Sequence, residues 1–330
     1  MAAYTTIDNP ELYFQVKTYS GDGSAQSITL DGSEDMAIDL YWGKRRNSSA
    51  EHEIYDTARG VTKYMSSNDD DGEQTNTNGL SVFGSNGFTL AGNSSINNGS
   101  IVAWCWKEST TAGFDIVTYT GNGSGPRGIS HSLSAVPHCF IVKGLASSRS
   151  WPVYHHALGN TKYAGYLDSA GASGTYEPFW GDTTPTSSVF TVDTDSAVNA
   201  NTESYIAYVW SEKQGFSKFG SFVGNGNADG TFVYTGFRPA WIMFKNASAG
   251  SSNWQIYDNK REGYNGQNDL FRANSSNAEG DGTDPIDILS NGFKQLNTAA
   301  SNNVSGETYT YIAFAEAPFV NSNGVPCNAR

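Results

Sequence analysis

Leu40-Tyr41-Trp42-Gly43-Lys44, Cys139-Phe140-Ile141-Val142-Lys143 and Trp241-Ile242-Met243-Phe244-Lys245 decide how this chain is to be read. Each is a short, nearly continuous apolar run that stops on a lysine, and they are spaced 99 and 102 residues apart. So short a run predicts a buried strand, and Ser204 to Trp210, whose two alternating sets are both apolar or aromatic, predicts a strand covered on both faces or packed on a neighbouring domain. Upstream of each lies a glycine-flanked turn: Gly21-Asp22-Gly23, Gly121-Asn122-Gly123 and Gly224-Asn225-Gly226, with Tyr19, Tyr119 and Phe222 two residues ahead. Downstream come Ile54-Tyr55-Asp56, Val153-Tyr154-His155 and Ile256-Tyr257-Asp258, the last two led by Trp151 and Trp254. Asn86-Gly87-Phe88, Val189-Phe190 and Asn291-Gly292-Phe293 follow. Ile101-Val102-Ala103-Trp104, Tyr205-Ile206-Ala207-Tyr208 and Tyr311-Ile312-Ala313-Phe314 close each set.

Landmarks in one order, three times over, predict an internal repeat. A unit of this length is too long for a solenoid and long enough for its own core. The expected organisation is an N-terminal arm over 1–13, β-sandwich repeats over 14–108, 115–213 and 218–318, and a tail over 319–330. Connections as short as Glu212-Lys213-Gln214-Gly215 predict a semi-rigid row of stacked domains.

Composition agrees with strands. Of the 330 residues only 16% are charged while 13% are aromatic, and 36 are glycine. That pattern suits many short strands joined by tight turns, not a helical bundle. Asn-Gly at 86–87, 98–99, 122–123, 225–226, 265–266, 291–292 and 323–324 are hairpin signals. The expected fold class is all-β, as three tandem β-sandwich repeats, jelly-roll or concanavalin-like; Asp56 to Ser66 could add one or two helical turns. A net charge of −13 argues against a nucleic-acid partner. The chain has no run of about 18 apolar residues, so membrane insertion is not expected, and the first fifteen residues do not read as a signal peptide. Cys105, Cys139 and Cys327 form neither a CxxC pair nor a disulfide framework, and read as reduced thiols.

Several clusters could carry chemistry. Glu51 and Glu53 alternate on a strand, the spacing that can set two carboxyls for retaining glycan hydrolysis. The other two sets have no such pair, and a solvated sheet face is the plainer reading. Asn68-Asp69-Asp70-Asp71-Gly72-Glu73 and Asp281-Gly282-Thr283-Asp284-Pro285-Ile286-Asp287 are oxygen-rich loops. Asp69, Asp71, Asp281 and Asp284 are the residues that would hold Ca²⁺ there, against a bare polar loop; no other cofactor is expected. Lys44, Lys143 and Lys245, with Tyr55, Tyr154 and Tyr257, read as framework before ligand sites, since each copy keeps them. Trp151, Tyr176, Trp180, Trp254 and Tyr264 are the aromatic candidates for stacking on a sugar ring, against core packing. Leu12, Tyr13 and Phe14 form an apolar end to a polar arm that either docks on a neighbouring subunit or caps the first domain. Nucleophilic catalysis has no support, since no GxSxG elbow occurs.

The opening Ala3-Tyr4-Thr5-Thr6-Ile7-Asp8-Asn9-Pro10 with Tyr13-Phe14-Gln15, the segment Gly215-Phe216-Ser217-Lys218-Phe219-Gly220-Ser221 and the end Ala315-Glu316-Ala317-Pro318-Phe319-Val320-Asn321-Ser322-Asn323-Gly324-Val325-Pro326 resemble a family of virion structural proteins from marine bacteriophages, of cyanophage and pelagiphage type. Cys327 departs from it, standing where a small polar residue is expected. The resemblance implies a non-enzymatic virion protein, exposed on the particle, with lectin-like or jelly-roll domains. It implies decoration of capsid or tail, attachment to host-surface glycan as a tail-fibre receptor-binding protein would, other virion proteins as partners, and a homo-oligomer. It transfers no catalytic residue.

Overall fold

Twelve strands build the frame. In a computed structural model that describes residues 4–248, 250, 252–261, 263–265 and 267–327, they fall into three sets. The first is β1 (Phe14–Asp22), β2 (Leu40–Arg45), β3 (Glu53–Asp56) and β4 (Asn98–Trp106), in the order β1-β4-β2-β3. The second is β5 (Phe114–Thr120), β6 (Cys139–Gly144), β7 (Val153–His155) and β8 (Ser204–Trp210), in the order β5-β8-β6-β7. The third is β9 (Ser217–Val223), β10 (Phe237–Asn246), β11 (Gln255–Asp258) and β12 (Thr308–Pro318), in the order β9-β12-β10-β11. This third sheet runs on through Gln267–Arg272, Gly280–Leu289 and Gly292–Gln295 to an edge strand, Phe232–Tyr234. Outer strands cover the first two, Gln26–Thr29, Gly87–Leu90 and Leu80–Gly84 over one and Arg127–Ser130 with Val189–Val192 over the other. The protein is all-β and β-sandwich-like, with 43% strand and 5% helix.

Alternation along each closing strand explains why both of its faces are apolar. Val102, Trp104 and Trp106 of β4 enter one core, while Ala103 and Cys105 enter another. In β8, Ile206, Tyr208 and Trp210 part from Tyr205, Ala207 and Val209 in the same way. In β12, Ile312 and Phe314 part from Tyr309, Tyr311 and Ala313. One face of every sheet thus packs its own outer layer, and the other joins a core common to all three. Trp106 meets Trp241 edge-on at 5.6 Å, and Phe14 stacks on Phe314 at 5.2 Å. Each set keeps a core of its own, as expected, but the expected row of separately closed domains is corrected here: one face of each sheet enters a core shared by all three.

Pairing also corrects the alignment of the closing strands. The residues opposite Lys44, Lys143 and Lys245 are Val102, Ile206 and Thr310. Tyr309, not Tyr311, therefore corresponds to Tyr205, and both hydroxyls do the same work: Tyr205 bonds Ser196 O and Ala200 N, Tyr309 bonds Ala300 O and Val304 N. Asp56 to Ser66 is turn and a two-residue strand, Lys63–Tyr64, where helical turns were expected.

The glycine-flanked turns are held from behind by asparagines. Asn97, Asn199 and Asn303 are fully buried, and their carbonyl oxygens accept from Gly23, Gly123 and Gly226 at 2.7, 2.8 and 2.9 Å. Those three glycines sit at φ of 80°, 68° and 65°, a region that disfavours other residues. At Gly21, Gly121 and Gly224 a Cβ would collide with the backbone beside the asparagine.

Candidate functional site

The three lysines that end the apolar runs are fully buried and tie one sheet to the next. Lys44 Nζ donates to Arg45 O at 3.2 Å and to Ser276 O at 3.1 Å, beside the third sheet. Lys143 donates to Arg149 O and to Asp70 O, the latter following the first sheet at 2.8 Å. Lys245 donates to Ser252 O and, at 3.5 Å, to Ser169 O, which follows the second sheet. Each ammonium lies over a ring, Phe271, Trp151 or Trp254, at 5.1, 5.2 and 5.6 Å. Burial pulls all three lysines down to about 8. The neighbouring position repeats the tie: Trp151 Nε1 donates to Asp69 O at 3.0 Å, Trp254 Nε1 to Tyr166 O at 2.8 Å. His52 stands in the corresponding place. Trp42 donates to its Nδ1 at 2.9 Å, so the ring proton sits on Nε2 and faces Arg272 O at 3.1 Å.

At the other end of the same strands the junctions differ in chemistry. Asp56 Oδ2 accepts from Arg59 at 2.6 Å and from the Tyr208 hydroxyl of the second sheet at 2.7 Å. Asp258 Oδ2 accepts from Arg261 at 2.6 Å and from the Trp104 indole of the first sheet at 3.0 Å. In the second sheet the acid is replaced by His155 and the arginine by Leu158. His155 Nδ1 accepts from Ala157 N, and Nε2 faces Tyr311 O of the third sheet at 3.1 Å. Burial drives His155 down to about 3, so it is neutral at physiological pH.

The remaining sequence candidates are scattered. Glu53 is buried, accepts from Tyr55 and Ser95, and is raised by burial to about 7. Glu51 is exposed and holds the Asn68 amide. A polymeric substrate that reached one would not reach the other, which removes the geometric case for a hydrolytic pair. Asp69 accepts from the Asp71 amide at 3.1 Å and is raised to about 6, chiefly by burial. Asp71 is exposed. Among the described residues no three His, Cys, Asp or Glu gather to hold a metal ion. Asp281 and Asp284 lie in the strand Gly280–Leu289 and not in the expected loop, and their side chains fall outside the described residues.

The aromatic candidates divide by burial. Trp151, Trp180 and Trp254 are at most 1% exposed, so their rings face protein and not a glycan; Trp180 packs edge-on against Phe140 at 4.9 Å. Tyr176 is 39% exposed, with its hydroxyl on Asp195. Tyr264 is half-buried between Glu316, which accepts its hydroxyl, and the Arg238 guanidinium. The arm candidates are corrected too. Phe14 begins β1 and is buried against Trp106 and Phe314, Tyr13 packs on Phe216, and Leu12 ends a single 3-10 turn, Pro10–Leu12. The apolar end of the arm is thus part of this chain's own core, at the seam between the first and third sheets.

One open cleft of about 270 Å³ lies beside that seam, lined by Tyr4, Glu212, Gln214, Lys218, Tyr234 and Thr235. The Tyr4 hydroxyl donates to Gly236 O at 2.7 Å and stands 3.4 Å from the Tyr234 hydroxyl. Its pKa is raised by burial and by Tyr234. Lys218 pairs with Glu212 at 2.6 Å, and Tyr234 is 54% exposed. Residues so far apart in the chain give no local signal, which is why motif reading passes over the cleft.

A family model described as a domain of unknown function (DUF7483) matches residues 9–318. No curated protein and no solved structure matches the chain.

Proposed function

The chain belongs to the family described as a domain of unknown function (DUF7483), and from that premise we propose that it is a non-enzymatic structural protein on the exterior of a bacteriophage particle, decorating capsid or tail. In this reading it is three copies of one jelly-roll or concanavalin-like sandwich unit set about a common core. The observation that carries it is how the recurring polar side chains are used. Lys44, Lys143 and Lys245 all bond backbone carbonyls across sheet junctions, as Trp151, Trp254 and His52 do beside them. Groups that an enzyme would leave facing a substrate serve here to lock three sheets together, which suits a component selected for rigidity. The −13 charge suits an exterior surface that keeps particles apart, and the terminal segments resemble those of phage virion proteins.

The test is location. Particles of a phage encoding this chain, purified and imaged by cryo-electron microscopy, should show three-lobed density outside the shell or along the tail. Mass spectrometry should find the chain in fixed ratio to the major capsid or tail protein. Purified particles that lack the chain would overturn the reading.

A further inference from the structure

We infer that the cleft between the N-terminal arm and the third sheet is a binding site for a neutral saccharide. Its chemistry selects the ligand class by elimination. The Glu212–Lys218 pair, in contact at 2.6 Å, leaves the walls without a net charge. A phosphate or sulfate would meet the carboxylate, and an ammonium would meet the lysine, so neither ion gains from entering. A purely apolar ligand would strip water from the Tyr234 and Tyr4 hydroxyls, the Gln214 amide and the ion pair with nothing to replace it. A ligand with apolar ring faces and several hydroxyls satisfies both kinds of wall. Its hydroxyls can donate to Glu212 and accept from Lys218 and Gln214, while a C–H face lies on tyrosine.

Size and surroundings sharpen the assignment. A cleft of about 270 Å³ falls just under the range of drug-sized pockets and suits one sugar ring. The strand that carries Tyr234 carries Phe232 two residues earlier, on the same face, and Phe232 is 45% exposed. Alternate positions on a strand are about 6.6 Å apart, so the second ring can take the next sugar of an oligosaccharide. Phe232 and Tyr234 belong to the edge strand of the eight-stranded sheet, which leaves that side open to a chain running past. The inference does not depend on where the protein sits: a chain on the particle that binds no sugar refutes this site alone, and a sugar-binding chain absent from particles refutes only the virion reading.

The experiment is isothermal titration of the full chain with neutral maltose, cellulose, xylan and galactan hexasaccharides, with a sulfated hexasaccharide and a chitosan hexamer as anionic and cationic controls. At least one neutral oligomer should bind, and Tyr234→Ala and Gln214→Ala should each weaken it about tenfold or more. Both side chains are exposed, so the melting temperature should not move. Phe232→Ala should weaken the hexasaccharide and leave unchanged the binding of its constituent monosaccharide, titrated alongside. Silence towards every neutral oligomer at millimolar concentration, preference for either charged control, or binding untouched by Tyr234→Ala would each overturn the assignment.

Discussion

Two junctions of the molecule hold a buried acid and the third does not, and the difference shows what a buried charge requires. Asp56 and Asp258 are fully buried, each bonded to an arginine three residues on and to a hydrogen-bond donor from the adjoining sheet, Tyr208 or Trp104. Register places Ile312 where those two donors stand, opposite Met243 as Trp104 is opposite Trp42 and Tyr208 opposite Ile141. Isoleucine has nothing to donate. On the strand that faces it the acid has become His155 and the arginine Leu158, so acid, arginine and donor are lost together. A carboxylate out of water is tolerable only when paired and hydrogen-bonded, and a neutral histidine that donates to a carbonyl, Tyr311 O, fills the space without that demand. The three positions behave as a set within each junction.

The comparison can be broken at its most expensive point. Asp56→Ala leaves Arg59 buried with only Glu73, at 3.9 Å, as counter-charge, and should cost about 3–5 kcal/mol in urea or guanidinium unfolding. The triple change Asp56→His, Arg59→Leu and Tyr208→Ile copies the histidine junction and should recover most of that loss. A triple variant as unstable as Asp56→Ala would show that the three positions are not a set. Smaller is the loss of the donor: Tyr208→Phe removes a hydroxyl that donates to Asp56 and accepts from Arg59 at 3.4 Å, Trp104→Phe removes the N–H to Asp258 together with buried ring volume, and each should cost about 2–4 kcal/mol, while Ile312→Val, touching no donor, should cost about 1 kcal/mol. At neutral pH His155→Phe forfeits two neutral hydrogen bonds, with Ala157 N and Tyr311 O, and should cost about 1–2 kcal/mol. Its sign reverses with acid. The native state holds His155 near 3 against an ordinary 6.5, so the unfolded chain binds the extra proton. Stability from this group is complete above 6.5 and falls as pH drops towards 3. The variant is free of that penalty, and the two stability curves should cross between about pH 5 and 6. Curves that stay parallel from pH 7 to 4 would mean that His155 is not held neutral.

How much of this could be read beforehand depended on the range of each signal. Strand content, turn positions and the apolar runs ending on Lys44, Lys143 and Lys245 are local patterns, and they were legible. The double-sided apolar character of Ser204–Trp210 was legible too, but not what covered its second face: Tyr208 and Trp210 enter a core drawn from all three sheets, and pairing at that distance leaves no trace in composition. Visible tryptophans were misleading for the same reason. Trp151 and Trp254 look like sugar platforms because they flank turn-rich segments, yet each indole N–H is aimed at a carbonyl of another lobe. Asn97, Asn199 and Asn303 went unnoticed in a chain crowded with asparagine, although their place a few residues ahead of each closing strand was an available clue. The cleft at Tyr4 and Tyr234 had no sequence signal, because the arm and the edge strand meet only in the folded chain.

Near the seam, the Asp8 carboxylate accepts from the backbone amide of Ser322 at 2.6 Å and from its hydroxyl. Residues 8 and 322 therefore meet, and the segment between them is close to a closed loop interrupted at one point. A short linker from residue 327 back to residue 4 would complete it, and the interruption could be moved to an exposed turn such as Ser147-Ser148 without cutting a strand. Residues 4–327 rearranged in that way should fold to the same three sheets, with the third completed first and the second, its strands divided between the two new ends, completed last.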